Sequence, residues 1–180
     1  MTQHEYVFVA ISIILGLAIT RLLHTVGLLI RAHRIVKFHW STALWGICIM
    51  TYSLQLWWVG WGLRELESWH FSSFAVLIAG SIFVYGASEM AMPLPDGNDN
   101  PDFLAHSQGL GRLSALSMLL YFAVGPYVNI QLFGNDILPS LLLPALGIFL
   151  MGLAIALPRL FSGVSLAFAA YTAMILYLTA

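Results

Sequence analysis

The sequence predicts an all-α, polytopic membrane protein: a bundle of six transmembrane helices joined by short loops. Apolar residues make up 60% of the chain and charged residues only 8%, whereas a soluble domain carries about 25% charged residues. The apolar residues also fall into separate runs of about 20 residues, the length that spans a bilayer core as an α-helix. The runs do not alternate with polar residues, so the strands of a membrane barrel are excluded.

The six predicted helices form a single integral membrane domain over residues 1–180. They cover residues 6–30, 40–63, 71–93, 113–133, 137–157 and 160–180. The flank before the first run is not basic and no small-residue cleavage site follows it, so we expect this run to stay as a membrane helix. Short connections favour antiparallel neighbours. The longest loop, 93–112, separates three helices from three.

The positive charges predict the orientation in the membrane. By alternation, five of the six Lys and Arg residues outside the first run share one side: Arg31, Arg34, Lys37, Arg112 and Arg159. Cytoplasmic loops carry the excess of such residues, so both termini are expected on the non-cytoplasmic side of a bacterial-type inner membrane. The cluster Arg31, Arg34 and Lys37 is also expected to attract lipid head groups of the bilayer.

The tryptophans lie near the predicted helix ends. Trp57, Trp58, Trp61 and Trp69 cluster at the outer end of the second and third helices, and Trp40 begins the second helix at the inner side. Tryptophan favours both membrane interfaces because its ring is apolar and its N–H seeks water. These residues are predicted interface anchors. The alternative is an aromatic vestibule at the outer mouth of a site.

Arg21, near the middle of the first run, is the most informative single residue. A charge at membrane depth is costly unless a partner or water satisfies it. Arg21 is therefore either a structural residue or a contact for a substrate in a wet cavity. His24, one turn later, is a hydrogen-bonded core histidine, a proton-relay or pore residue, or a haem or metal ligand. Glu89, the one carboxylate inside a run, is the natural partner of Arg21 or His24.

The first helix also carries a stripe of small residues, Ser12, Gly16 and Thr20. This spacing lets helices approach closely in lipid, so we expect this face to pack against protein and to carry Arg21 and His24 into the bundle. Gln55 and Tyr85, on polar faces of the second and third helices, complete the predicted polar centre of a pore or substrate site. Such faces are also typical of packing seams.

Several function classes lack their motifs. The net charge of −1 gives no argument for nucleic-acid binding, and Cys48 is the single cysteine, so paired-cysteine redox and metal motifs are excluded. No catalytic motif, cofactor or metal site is predicted. The favoured hypothesis is a small channel- or transporter-type subunit, and the alternative is a non-transporting subunit or scaffold. A redox subunit that binds haem through His24, or quinone, is the third hypothesis. Self-association or a membrane-protein partner is expected.

Overall fold

The computed structural model describes residues 2–66, 69–95 and 101–179, and its regular structure is helical. Seven α-helices occur among these residues, followed in places by short 3₁₀ or π turns. They are α1 Gln3–Arg31, α2 Trp40–Gly62, α3 Phe71–Glu89, α4 Phe103–Gln108, α5 Gly111–Tyr127, α6 Ile137–Ala156 and α7 Phe161–Thr179. The predicted all-α class is therefore confirmed.

Five helical segments are long and apolar enough to cross a membrane, as expected for a multi-pass membrane protein. They are Gln3–Arg31, Phe71–Glu89, Gly111–Leu132, Ile137–Ala156 and Pro158–Thr179. The second predicted segment forms the 23-residue helix α2 but does not belong to this set, because its tryptophans, hydroxyl residues and Gln55 lower its hydropathy. The structure thus supports a membrane helical bundle without confirming the count of six spans.

Helix α1 begins earlier than its apolar run because its N-terminus is capped. The Thr2 hydroxyl accepts the Glu5 backbone N–H at 3.1 Å, and Glu5 Oε2 accepts the Thr2 N–H at 2.7 Å. This reciprocal capping box satisfies two N–H groups that an isolated helix end leaves without partners. The apolar run therefore marks the part of α1 that is apolar enough to cross a membrane, while polar capping sets where the helix begins.

Two predicted helices and the long loop differ from the prediction in detail. The third helix ends at Glu89 rather than at residue 93, since Pro93 disfavours helical geometry in the chain that precedes it. The fourth changes to a π turn over Val128–Leu132, just after Pro126, whose missing N–H breaks the regular helix ladder. The loop contains the short helix α4, which Asp102 caps by accepting the Ala105 N–H at 3.0 Å.

The helices surround a core of aromatic side chains. Around the bundle the order of contacts is α1, α3, α5, α6, α7, α2 and back to α1, and α2 also packs against α3. Phe168 stacks on Tyr52 with ring centroids 5.7 Å apart and contacts Trp45 at 4.9 Å. All three residues are at most 1% exposed. Close-packed aromatic rings therefore fill the middle of the bundle.

The loop after α1 and the segment before α4 are joined at the predicted inner side. The Lys37 N–H donates to the Pro101 carbonyl at 2.8 Å, and the Phe103 N–H donates to the Lys37 carbonyl at 3.1 Å. The Thr42 hydroxyl, at the start of α2, donates to the Phe103 carbonyl at 2.9 Å. We call these contacts the loop clasp. They attach the α1–α2 hairpin to the chain that follows α3.

Candidate functional site

The most polar site within the helices is an ion pair between α1 and α3. A terminal guanidinium nitrogen of Arg21 lies 2.7 Å from Glu89 Oε1, a charge-assisted hydrogen bond. Of the two partners expected for Glu89, Arg21 and His24, the structure places Arg21 in contact with it. Two features of the sequence bring them together: short loops make α1 and α3 parallel neighbours, and both residues lie toward the C-terminal ends of their helices.

The ion pair lies at the edge of the bundle rather than on its axis. The Arg21 side chain is 25% exposed and the Glu89 side chain 35% exposed. Arg21 Nε is nevertheless buried, and it has no hydrogen-bond partner among the described residues. The guanidinium thus keeps donor capacity beyond the contact with Glu89. The geometry ties α1 to α3 and leaves part of both charged groups accessible from outside the protomer.

Thr20 and His24 point away from the bundle, whereas the small-residue stripe suggested that they face its interior. Both are exposed. Successive residues lie about 100° apart around a helix with 3.6 residues per turn, so Thr20 lies about 100° and His24 about 60° from Arg21 in the same direction. With Arg21 against α3, that direction leads to the outer side of α1. His24 therefore does not join the ion pair within this protomer, and it presents its ring outward rather than into a haem cavity.

The small-residue stripe is covered within the protomer only at Ser12. A Cβ added at Gly16 would meet no atom within 4 Å, and the same holds for Gly27, three turns further along α1. Ser12 Oγ is buried and has no hydrogen-bond partner in the described chain. Ser12 therefore lies at the border of the uncovered surface. The outward side of α1, which we call the α1 face, comprises Gly16, Thr20, His24 and Gly27. It combines polar groups with open space.

Gln55 and Tyr85 lie apart from the α1 face. The Gln55 amide nitrogen donates to Thr179 Oγ1 at 3.2 Å, which places it between α2 and the end of α7. Tyr85 is half-buried on α3, one turn before Glu89. Of the five residues in the predicted polar centre, the structure thus joins Arg21 with Glu89 and separates His24 and Gln55 from them.

A second polar site, which sequence analysis did not find, is a cavity of about 220 Å³ between α2, α3, α5, α6 and α7. We call it the tyrosine cavity, because three tyrosine rings contribute to its wall. Its polar lining residues are Tyr52, Gln55, Tyr121, Asn129, Tyr171 and Thr179. The remaining described lining residues are apolar or glycine, so no charged side chain among them lines the cavity.

Irregular helix geometry opens this cavity. Asn129 belongs to the π turn that follows α5, and Pro144 interrupts the hydrogen bonds of α6 beside Gly125. Such irregularities are frequent at functional sites in helices. The Tyr171 hydroxyl donates to the Leu143 carbonyl at 2.8 Å. The Tyr52 hydroxyl is buried without a hydrogen-bond partner among the described residues. Pro126 and Pro144 were the available signal in the sequence, but nothing marked the tyrosines as neighbours.

The predicted interface residues are mostly on the surface. Trp40, Trp57, Trp58 and Trp61 are exposed and Trp69 is half-buried, and the Arg64 guanidinium lies 4.8 Å from the centre of the Trp61 ring, a cation–π contact. The basic residues of the first loop, Arg31, Arg34 and Lys37, are exposed as well. These positions suit interface anchors and head-group contacts, which remain predictions.

The described residues contain no cluster of three or more His, Cys, Asp or Glu side chains arranged to hold a metal ion. Comparison with protein-family models gives no match to this chain. Comparisons with curated proteins and with solved structures likewise give no significant match. The geometry of the two polar sites is therefore the basis on which a function is proposed.

Proposed function

We propose that this protein is a non-transporting, six-span membrane subunit that self-associates through the α1 face. The observation that carries the proposal is the outward placement of His24 and uncovered Gly16 on α1, beside the partly exposed pair that Arg21 forms with Glu89 of α3. Both helices are long and apolar enough to span a membrane. Lipid chains cannot satisfy these polar groups, whereas a second protein surface can. A scaffold or assembly role accounts for such a surface.

The position of α2 between α1 and α3 supports a sixth span. The rings of Tyr6 and Phe74 are 6.2 Å apart near the beginnings of α1 and α3, and Arg21 meets Glu89 toward their ends, so these helices run parallel. The chain between them must return across the same thickness. A His4 ring nitrogen lies 3.0 Å from the Gly60 carbonyl, which aligns the end of α2 with the beginning of α1.

Low hydropathy is compatible with a membrane-spanning α2. This helix packs against α1, α3 and α7, and its hydroxyl residues Ser41, Thr42 and Ser53 are fully buried. A span that faces protein rather than lipid needs less apolar surface, because its polar groups find partners inside the bundle. The whole-bundle orientation that we propose, with both termini outside the cytoplasm of a bacterial-type cell, follows the positive charges.

A second copy of this chain is the partner that the α1 face suits best. Two α1 helices that cross at Gly16 bring their small residues into contact at the same depth, as two-fold symmetry requires. Near the predicted cytoplasmic ends, the His24 ring of one copy then lies at the depth of the Arg21–Glu89 pair of the other. The exposed part of the Glu89 carboxylate is a suitable acceptor for a histidine N–H.

Assembly is favoured over the channel or transporter role that the sequence suggested first. Conduction through a protomer requires a polar path along the bundle, but Trp45, Tyr52 and Phe168 fill its middle and are at most 1% exposed. The Arg21–Glu89 pair joins two helices and is partly exposed, and no cavity that we describe connects it to the tyrosine cavity. These positions favour contacts between membrane helices rather than transport of a solute past them.

Disulfide cross-linking tests this proposal in membranes. Cys48 is the single cysteine, so Cys48→Ala gives a background without thiols. In that background, Gly16→Cys is expected to form a covalent dimer on mild oxidation, because two-fold symmetry brings both copies of this position together. The control is Leu146→Cys on α6, which is 43% exposed and also lies near the middle of its helix. It is expected to stay monomeric.

Equal cross-linking of the two variants would show random collisions and contradict the proposal. A monomer for Gly16→Cys at every oxidant concentration would contradict it as well, provided that a thiol reagent labels the introduced thiol in the same membranes. The orientation is tested separately with reporter fusions. A fusion after Arg159 is expected to behave as cytoplasmic and one after Gly134 as periplasmic, and the reverse pattern would overturn the proposed topology.

A further inference from the structure

We infer that the tyrosine cavity binds a small, uncharged ring that carries a carbonyl oxygen, of the kind found in the head of a quinone. The inference concerns a different surface from the α1 face and does not depend on self-association. It rests on the charge, the size, the hydrogen-bonding capacity and the accessibility of the cavity.

The described lining contains no charged side chain, and this excludes ionic ligands. The cavity is bordered by aromatic and aliphatic side chains, with the amides of Gln55 and Asn129 and several hydroxyl groups as its polar atoms. Burying an ion without a countercharge costs far more than these groups can return. An uncharged ligand with a mainly apolar surface suits this lining, which has the general character of small-molecule sites in proteins.

The volume of the cavity matches a substituted single ring. An engineered apolar cavity of about 150 Å³ in another protein holds one benzene molecule, and the tyrosine cavity has about 220 Å³. The additional space accommodates several substituents on a six-membered ring. Tyr121 and Phe122 present their rings at an angle to Tyr52, with centroids 5.8 and 5.2 Å from it. Such an arrangement offers both edges and faces to an aromatic guest.

Hydrogen bonding selects a carbonyl acceptor. Tyr52 is 1% exposed, lines the cavity and has a hydroxyl that makes no well-formed hydrogen bond to the described residues. The hydroxyls of Thr172 and Tyr171 lie near it, but each donates its own proton to a backbone carbonyl. The Tyr171 hydroxyl and the Gln55 amide already donate to the Leu143 carbonyl and to Thr179. A buried donor that lacks an acceptor is costly. A ligand oxygen placed near Tyr52 removes that cost, whereas a hydrocarbon of the same shape does not.

The cavity is reached from one end of the bundle. Leu178 and Thr179, the last described residues of α7, border it together with Asn129 at the end of the α5 segment. Irregular backbone at membrane depth is tolerated where it lines a cavity or is covered by protein. The π turn at Val128–Leu132 meets this condition, since Val128 and Asn129 both contribute to the lining.

A matched pair of ligands tests the inference. Duroquinone is a benzoquinone with four methyl groups, and its full substitution prevents addition of the Cys48 thiol. Durene is the benzene that carries four methyl groups without carbonyl oxygens. Binding of each is measured by equilibrium dialysis with the full chain in phosphatidylcholine nanodiscs, and empty nanodiscs give the partition into lipid. We expect duroquinone to bind about tenfold more tightly than durene, the effect of one buried hydrogen bond.

Three variants locate the site. Tyr52→Phe removes the hydroxyl and keeps the ring, so it is expected to abolish most of the preference for duroquinone while durene binding persists. Tyr127→Phe is the control, because the Tyr127 hydroxyl contacts Ser72 and Ser73 away from the cavity; it should bind like the wild type. Gly80→Val adds volume to the cavity wall and is expected to weaken the binding of both ligands.

Each contrary outcome overturns the inference. Equal affinity for durene and duroquinone would identify a cavity for hydrocarbon, such as a lipid chain, without carbonyl selection. If Tyr52→Phe still preferred duroquinone to durene as strongly as the wild type does, the Tyr52 hydroxyl would not be the hydrogen-bond donor. If the wild type bound neither ligand, or if Gly80→Val bound both as tightly as the wild type, the tyrosine cavity would not be the binding site. Thermal melting of each variant in nanodiscs confirms that the comparison is made between folded proteins.

Discussion

The glycines of α1 and those of the α5–α6 contact have opposite surroundings. A Cβ added at Gly147 in α6 would lie 2.8 Å from the ring of Phe122, and one added at Gly125 in α5 would lie 3.1 Å from Pro144. At Gly16 and Gly27 in α1 there is no atom within 4 Å of the added Cβ. Glycine in the α5–α6 contact is thus required by the protomer itself. Glycine in α1 has no packing role there.

This difference shows that a pattern of small residues does not say which helix it serves. Small residues let membrane helices approach closely, and α5 and α6 use them within one chain. If the α1 face has the same purpose, its partner is a second chain. Substitutions at these positions separate the two cases through their effects on thermal stability.

The largest loss is expected for Gly147→Val. Its Cβ would overlap the Phe122 ring, which is 5% exposed and held between Tyr52 and Tyr171, so the ring has little room to move. Overpacking of this kind costs about 1–3 kcal/mol. The midpoint of thermal unfolding in detergent should fall clearly. Gly152→Val in the same helix, where the added Cβ meets no atom within 4 Å, is the control and should unfold near the wild-type temperature.

The Arg21–Glu89 pair should show an intermediate and non-additive loss. Arg21→Gln and Glu89→Gln each leave one charged group without its partner, and the double variant leaves neither. Because both side chains are partly exposed, we expect single losses of about 1–2 kcal/mol and partial recovery in the double variant. Unfolding of all four proteins in detergent forms the double-mutant cycle. Strictly additive losses would show that the contact does not couple α1 to α3.

A smaller loss of thermal stability is expected on acidification, and it depends on His106 of α4. Burial lowers the pKa of His106 below 6.5, although its contact with the Met90 carbonyl at 3.1 Å acts in the opposite direction. The unfolded chain therefore binds the proton first, and stability should decrease as the pH falls from about 6.5 through the lowered pKa. Melting curves at several pH values measure this slope. It should flatten in His106→Gln and persist in His70→Gln, which changes an exposed histidine.

Gly16→Leu should not lower the thermal stability of the monomer, and it therefore gives the sharpest contrast with Gly147→Val. Leucine favours helix more than glycine does, by about 0.5–1 kcal/mol, and open space surrounds this position. In dilute detergent the variant should unfold at or above the wild-type temperature. In membranes it should fail to form the dimer that a reporter cysteine at position 20 detects. A stable monomer that still dimerises would move the interface away from Gly16.

The sequence predicted the parts of the fold that depend on local patterns. Runs of apolar residues predicted the helices, and the scarcity of charge within them left Glu89 as the natural partner of Arg21. The direction of the α1 face could not be predicted, because the same spacing suits contacts within and between chains. The tyrosine cavity was missed for a different reason: Tyr52, Tyr121 and Tyr171 lie on three helices, and their proximity depends on how those helices cross. Neither α4 nor the loop clasp has a periodic apolar signal.

The ion pair also has a consequence for biogenesis. Glu89 follows Arg21 by roughly 70 residues in the chain. At a synthesis rate of about 5–20 residues per second, it leaves the ribosome about 3–14 s later. When α1 enters the bilayer during that interval, the partner of its guanidinium has not been made, and we expect the insertion machinery to shelter it. Nascent chains that are arrested before Glu89 emerges should therefore cross-link to the translocon through α1, whereas longer chains should release it. We therefore expect α1 to move from the translocon into the lipid only after Glu89 has emerged and can pair with Arg21.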